Sequence, residues 1–165
     1  MLQRVFDILF SLIALVLMSP LLLPIVIILR VTGEKEIFYV QERVGRDGVI
    51  FGLLKFATML KNSPNIGSGT ITLKNDTRIL PVGHFLRKTK INELPQLLNI
   101  LRGDMSFIGP RPLTMDTFNA YPKGAQIKIL SVIPGLSGVG SIIFRDEENL
   151  LGQADDGVIF YHETI

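Results

Sequence analysis

One acidic residue, Glu93, stands beside a run of positive charge near the middle of the chain, directly after the neutral Asn92. A carboxylate next to cations can bind a Mg²⁺ ion that bridges a diphosphate, act as a base, or attack phosphorus itself. The cations could equally be a solvated face or a contact to anionic lipid headgroups, with Glu93 stabilising a helix dipole. The basic residues just before the pair are Arg87, Lys88 and Lys90.

A second basic position, Arg111, lies between Pro110 and Pro112. Proline restricts the backbone on both sides, which suits a guanidinium that grips a phosphate with two hydrogen bonds. The turn-rich stretch over 103–109 precedes it, so the arginine is expected on a compact loop that could face Glu93.

Three helices are predicted to position these groups. Apolar spacing predicts a helix over 79–87 and a second over 92–102, with Gly103 as its C-terminal cap. The free N–H groups at the start of the second helix would form an anion site. A third helix is expected over 115–131, interrupted near Pro122 and Gly124.

Two short β-prone runs, 38–40 and 49–51, flank a polar stretch that contains Asp47-Gly48. This pattern predicts a β-hairpin. The segment 61–77 is rich in Gly, Ser, Asn and Thr and is predicted to be a loop.

The N-terminal segment from Ile8 to Leu29 carries no charge and is long enough to cross a ~30 Å hydrocarbon core. Pro20 and Pro24 fall inside it, which predicts a break or kink. Basic residues flank both ends, so the orientation stays undecided or suits a helix-break-helix hairpin within one leaflet. A kinked transmembrane signal anchor is the alternative.

The composition of the chain argues against several other kinds of function. A formal charge of +2 is too small to indicate a nucleic-acid partner, and with no cysteine the chain has neither disulfides nor Cys-ligated zinc. With 165 residues, one membrane segment and one small domain are expected.

Two runs of sequence carry a specific resemblance. The residues Leu86-Arg87-Lys88-Thr89-Lys90-Ile91-Asn92-Glu93-Leu94-Pro95-Gln96-Leu97 and Gly103-Asp104-Met105-Ser106-Phe107-Ile108-Gly109-Pro110-Arg111-Pro112 resemble the signature of the bacterial sugar transferase family, the monotopic polyprenol-phosphate phosphoglycosyl transferases. The similarity extends to 41–45, 55–59, 134–138 and Ser19-Pro20.

The resemblance implies a mostly helical α+β fold. Residues 1–32 would form a re-entrant membrane helix, and 33–165 a catalytic domain with a short β-hairpin on the cytoplasmic face of the bacterial inner membrane. It also implies the reaction, in which a UDP-sugar gives its sugar phosphate to polyprenol phosphate, with release of UMP and a requirement for Mg²⁺. Homo-oligomerisation is left open.

The site residues follow from the same resemblance. Glu93 and Asn92 would be catalytic, with Glu93 at the metal, and Ser19 and Pro20 would break the membrane helix. The expected phosphate-binding residues are Arg87, Arg111, Lys55 and Arg145.

The sequence departs from the family pattern at the centre of the site. Asn92 stands where members carry the nucleophilic Asp, and Ala57 stands where many carry Arg. Relatives tend to continue beyond the position of Ile165, which leaves a C-terminal truncation open. Three hypotheses follow: Glu93 acts as nucleophile, or as base and metal ligand in direct transfer; the protein binds its ligands without turnover; or it is a structural protein of the membrane surface.

Overall fold

The computed structural model describes residues 2–66, 72 and 76–138. Within them the chain is mostly helical with two small sheets, which confirms the coarse α+β prediction. Turns of 3-10 helix lie at Arg46–Gly48, Ser63–Asn65 and Ile91–Glu93. The longer elements are α1 Leu2–Val31, β1 Phe38–Val44, β2 Ile50–Phe56, α2 Pro81–Lys88, α3 Gln96–Arg102, β3 Ser106–Ile108, α4 Met115–Ala120, α5 Lys123–Leu130 and β4 Gly135–Ser137.

The N-terminal helix α1 continues through both prolines. Pro20 has no N–H for the carbonyl of Val16, and the Ser19 hydroxyl donates to that carbonyl instead, at 2.7 Å. α1 is therefore continuous at Ser19-Pro20, where a side chain replaces the missing backbone donor, and a bend of the helix at this point stays a prediction. The entry of α1 into a single leaflet stays a prediction.

One stripe of α1 packs along the rest of the protein. Ala14 and Leu15 contact a first core, and Ile25 and Leu29 are members of a second. Most other side chains of α1 are exposed, and by length and composition α1 is long and apolar enough to cross a membrane. The buried partners from the other elements are Phe51, Leu53, Leu97, Ile100 and Met105 in the first core and Phe56 and Leu86 in the second.

The predicted hairpin is confirmed, with longer strands than expected. β1 and β2 pair antiparallel over their full seven-residue lengths, from Phe38 opposite Phe56 to Val44 opposite Ile50. The turn between them needs backbone conformations with positive φ, at Asp47 (58°) and Gly48 (79°). An aspartate and a glycine tolerate that region better than most residues.

The outer edge of β2 is covered by one side chain. Asn99 of α3 is fully buried; its Oδ1 accepts from Leu54 N at 2.9 Å and its Nδ2 donates to Gly52 O at 2.8 Å. The amide thus makes the two hydrogen bonds that a third strand would make. This contact fixes α3 against the strand that carries Lys55.

The helices that flank Glu93 differ in their bounds from the prediction. α2 begins at Pro81, and residues 91–93 form a 3-10 turn before α3 begins at Gln96. Pro95 has no N–H for the carbonyl of Ile91, which accepts from Leu94 N at 3.1 Å, so the chain is wound more tightly here than an α-helix. Gly103 caps α3 as predicted, with φ 98°.

The predicted interruption of the third helix is confirmed, since α4 ends at Ala120 and α5 begins after Pro122. Gly124, which the sequence also placed at the interruption, lies inside α5.

Part of the predicted loop over 61–77 is held by a buried ion pair. Arg78, 5% exposed, donates to both carboxylate oxygens of Asp76, at 2.9 and 2.6 Å. It also donates to the carbonyls of Ser63 and Ile66, at 2.8 and 2.7 Å. The hydrogen bonds to the Asp76 carboxylate raise the pKa of Arg78, with its negative charge adding to the effect and burial opposing it. Arg78 therefore links residues 63–66 to Asp76.

Candidate active site

Glu93 ends the 3-10 turn between α2 and α3 and is half-buried. Its Oε2 accepts from Gln96 Nε2 at 3.4 Å, a long contact that leaves acceptor capacity. The predicted anion site at a helix beginning at Asn92 is wrong, because α3 begins at Gln96 and is only seven residues long. Affinity for phosphate must therefore come from side-chain charge.

Asn92 is buried beside Glu93, with 6% of its surface exposed. Among the residues that the structure describes, its Oδ1 has no hydrogen-bond partner. A neutral amide is a very poor nucleophile, but it offers two N–H donors and one oxygen acceptor. Asn92 is suited to binding a ligand and not to attacking one.

Lys55 on β2 lies at the electrostatic centre of the site. Its pKa is lowered to about 8, mainly by burial and also by the positive charges of Arg43, Arg111 and Arg87, while Glu93 opposes the shift. The five charges come from β1, β2, α2, the 3-10 turn and the loop after β3. The structure therefore brings together the predicted residues Lys55, Arg87, Glu93 and Arg111.

Arg43 is a member of this cluster that the sequence prediction missed. Its Nη1 donates to the carbonyl of Pro112 at 2.9 Å and its Nη2 donates to Gln41 Oε1 at 2.6 Å. The motif around Arg43 was part of the family resemblance, but no role was assigned to it. Strand alternation would have placed Arg43 on the same face of the hairpin as Lys55, because opposed residues of an antiparallel pair share a face.

The loop that carries Arg111, residues 109–112, is here called the PRP loop. Gly109 N donates to Ser137 O at 3.0 Å, and Gly135 N donates to Pro110 O at 2.8 Å. A Cβ at Gly109 would lie 2.5 Å from the carbonyl oxygen of Ile133, so only glycine permits this approach. β4 thus fixes the loop while the Arg111 side chain stays exposed.

Four cations around one carboxylate leave a strong excess of positive charge. Such a group attracts a polyanion, since an isolated cluster of like charges is unfavourable out of water. A planar guanidinium on each of three elements could hold a diphosphate from several sides. The arrangement fits a pyrophosphate-containing ligand better than a singly charged one.

The donor set can also be compared with the expected Mg²⁺ site. The described residues hold no group of three or more acidic, histidine or cysteine side chains that could form a metal site. Mg²⁺ is often bound through only one or two carboxylates together with substrate phosphates. Glu93 and the amide oxygen of Asn92 suit that kind of site.

Two of the predicted residues lie apart from this cluster. Ser19 and Pro20 belong to the middle of α1, where the Ser19 hydroxyl serves the helix backbone. Arg145 falls outside the described residues, so its predicted role in phosphate binding stays a prediction.

The chain is similar in sequence to several named bacterial proteins. The exopolysaccharide production protein ExoY of Rhizobium meliloti is 37% identical over 161 residues, covering 89% of this chain and 71% of that protein. The ExoY protein of Sinorhizobium fredii is 36% identical over 159 residues, with 88% and 70% covered. The undecaprenyl-phosphate galactose phosphotransferase of Salmonella typhimurium is 36% identical over 160 residues, which are 88% of this chain but 33% of that longer protein.

The sequence model of the family described as bacterial sugar transferase matches residues 1–158, nearly the whole chain. The match includes α1, the hairpin, the Asn92-Glu93 turn and the PRP loop, so it covers all the parts that build the site. The chain belongs to the bacterial sugar transferase family.

Proposed function

We propose that the protein transfers a sugar phosphate from a UDP-sugar to polyprenol phosphate, with release of UMP, as a membrane step in bacterial polysaccharide synthesis. The observation that carries this proposal is the cluster of Lys55, Arg87, Arg111 and Arg43 around Glu93, whose charge suits a diphosphate. Relatives named for phosphotransfer to undecaprenyl phosphate support the same acceptor class.

The central cations bind the diphosphate and stabilise the charge that develops on its oxygens during transfer. In direct transfer, a phosphate oxygen of the acceptor attacks the β-phosphorus, the bond from that phosphorus to the bridging oxygen breaks, and UMP leaves with the bond's electrons. Glu93 then serves as base and metal ligand. In a two-step reaction, the Glu93 carboxylate attacks the β-phosphorus first and UMP leaves with the electrons of the bond to the bridging oxygen. A phosphate oxygen of the acceptor then attacks the same phosphorus and displaces the Glu93 carboxylate.

Asn92 has a binding role in either route. Its amide N–H groups can donate to the diphosphate, and its buried oxygen is available as a ligand. A bound Mg²⁺, held by Glu93 and Asn92 with the substrate diphosphate, would neutralise phosphate charge. The side chains of Lys55 and the three arginines orient the same group.

We place the catalytic domain on the cytoplasmic face of the inner membrane, with α1 entering one leaflet. Contacts at both ends of α1 support this: Asp7 near its start bonds Ser106, and Leu29 near its end lies in the second core. A helix crossing the bilayer with its domain on one side would keep only one end near that domain.

A turnover assay tests the function. Full-length protein in lipid nanodiscs with Mg²⁺, polyprenol phosphate and a panel of UDP-sugars is expected to release UMP. Glu93→Gln is expected to lower kcat by about 10²–10⁴-fold, whereas Glu42→Gln, an exposed acid on the other face of the hairpin, should leave it unchanged.

Other outcomes would contradict the proposal. Release of UMP only after Asn92→Asp would mean that the protein as it stands binds without turnover. Incubation with UDP-sugar but no acceptor separates the two routes, because a phosphosugar adduct on Glu93, seen as an increase in intact mass, occurs only in the two-step reaction.

The topology has its own test, helped by the absence of cysteine from the chain. Leu2→Cys and Lys35→Cys place single thiols at exposed positions near the two ends of α1. A membrane-impermeant maleimide is expected to label both from the cytoplasmic side only. Labelling of the two from opposite sides would refute entry into one leaflet.

A further inference from the structure

Asp7 is the only acidic residue of α1, and it is 5% exposed. Burial of such a group is costly unless hydrogen bonds compensate it. A leucine at this position would favour membrane insertion more than an aspartate does. The presence of Asp7 therefore needs an explanation other than membrane insertion. Its contacts supply one.

The partners of Asp7 lie at the start of β3. Its Oδ1 accepts from Ser106 Oγ at 2.9 Å and from Phe107 N at 3.2 Å. Gln3 Nε2, one helical turn earlier, donates to the same Ser106 hydroxyl at 2.9 Å. Ser106 is 1% exposed, so these bonds are made out of water.

The guanidinium of Arg4 extends the contact to α3, where it donates to the carbonyls of Ile100 and Leu101. These carbonyls lie in the last turn of α3, where the Ile100 carbonyl also accepts from Gly103 N at 3.1 Å. The first two turns of α1 therefore hold both α3 and β3.

β3 leads directly into the PRP loop. The far end of this loop is held by Arg43, which donates to Pro112 O at 2.9 Å, and by Val44 N, which donates to Leu113 O at 2.9 Å. Arg111 is therefore carried on a short span whose start is fixed by α1 and whose end is fixed by β1. Few residues lie between Phe107 and Arg111 to absorb a displacement.

We propose that Asp7 is a positioning residue for Arg111: by holding Ser106 and Phe107, it sets where the PRP loop presents its guanidinium. This inference rests on the proposed function, since it assigns Arg111 to the diphosphate of the donor. It couples the membrane helix to the phosphate site through two hydrogen bonds.

Three variants of the full-length protein test the coupling. Asp7→Leu removes the acceptor and should lower kcat/KM for the UDP-sugar about tenfold to a hundredfold, because a displacement near 1 Å can cost that much. Asp7→Asn keeps an acceptor oxygen and should restore most of the rate. Ser11→Ala is the matched control: Ser11 is fully buried on the same helix, and its Oγ has no hydrogen-bond partner in the described part of the chain.

A double-mutant cycle separates positioning from general damage. In an Arg111→Ala background, Asp7→Leu should change kcat/KM less than twofold, because the group that it positions is gone. An equal loss in both backgrounds would overturn the proposal. If Asp7→Leu fails to fold in nanodiscs, Ser106→Ala removes the same bond from the β3 side and the same cycle is run with it.

Hydrogen exchange measures the coupling without turnover. The amides of 107–112 should exchange faster in Asp7→Leu than in wild type or Ser11→Ala, and unchanged exchange would overturn the proposal. Faster exchange in a protein that releases no UMP with any UDP-sugar would instead mean that the proposed function has failed. In that case, binding of inorganic diphosphate replaces kcat/KM as the readout of the cycle.

Discussion

Arg78 and Lys55 are both basic side chains that are buried or partly buried, but the groups around them shift their pKa values in opposite directions. Arg78 has a carboxylate against it and backbone carbonyls around it, and its pKa is raised. Lys55 has three arginines near it and one glutamate, and its pKa falls to about 8. One charge is neutralised within the fold, whereas the other is left for an external anion to neutralise. Under the proposed function, Arg78 is a structural cation and Lys55 binds the diphosphate.

The largest expected effect is loss of the internal partner of Arg78. Asp76→Asn should lower the free energy of unfolding by about 3–5 kcal/mol, because a buried guanidinium loses its countercharge. Asp47→Asn is the control: it breaks the exposed Arg46–Asp47 pair, at 3.2 Å, and should change stability by at most about 1 kcal/mol. Denaturant unfolding in micelles measures both. Equal effects would remove the distinction between the two environments.

The converse change at Lys55 should affect activity and not stability. Lys55→Met should lower kcat/KM about 10²–10³-fold, the usual range for loss of one preorganised charge-stabilising group. Its unfolding free energy near pH 7 should be higher, since one of several like charges that lie close together is removed. Lys61→Met, at an exposed lysine paired with Glu36, is the control for activity. A less stable Lys55→Met protein would mean that Lys55 is structural.

The pH dependence of stability sharpens the same comparison. Between pH 8 and 10.5 the unfolded chain keeps the Lys55 proton that the folded protein has lost, so stability should rise with pH across this window. The charged groups that act on Lys55 are Arg43, Arg111, Arg87 and Glu93. Wild-type and Lys55→Met unfolding curves, measured over this range, should converge as pH rises. A constant difference would refute the assigned pKa.

The smallest effect is stabilisation by an anion. Inorganic diphosphate should raise the Tm of the wild type by a few degrees, on the order of 1 kcal/mol, relative to chloride at equal ionic strength. Lys55→Met should lose most of this shift. An equal shift from chloride would favour a non-specific basic surface that meets lipid phosphates.

Local signals allowed much of the fold to be predicted. Gly103 is the cap of α3, Asp47-Gly48 makes the hairpin turn, and Pro122 separates α4 from α5. Each depends on the backbone preference of the residue itself. The predicted start of α3 is wrong. Whether residues 91–95 form a 3-10 turn or an α-helix depends on which N–H donates to the carbonyl of Ile91, and the sequence pattern does not show this.

The site residues that were predicted lie in short sequence motifs. The residues that the prediction missed are recognised only by their contacts with residues far away in the sequence. Arg43 reaches Pro112 across 69 positions, and Asp7 reaches Ser106 across 99. No periodicity in one segment encodes a partner in another. The pairing of Asp76 with Arg78 is short-range, but its burial depends on how the chain folds over it.

The stripe of α1 that enters both cores has a consequence for handling the protein. Ile25 and Leu29 pack beside Phe56 and Leu86. Removing α1 would therefore expose a hydrophobic groove on the rest of the protein. A fragment beginning after Val31 is expected to aggregate and not to yield a soluble enzyme. A protein in which α1 is replaced by an unrelated membrane anchor should fail to fold for the same reason, because side chains of α1 are part of the hydrophobic cores.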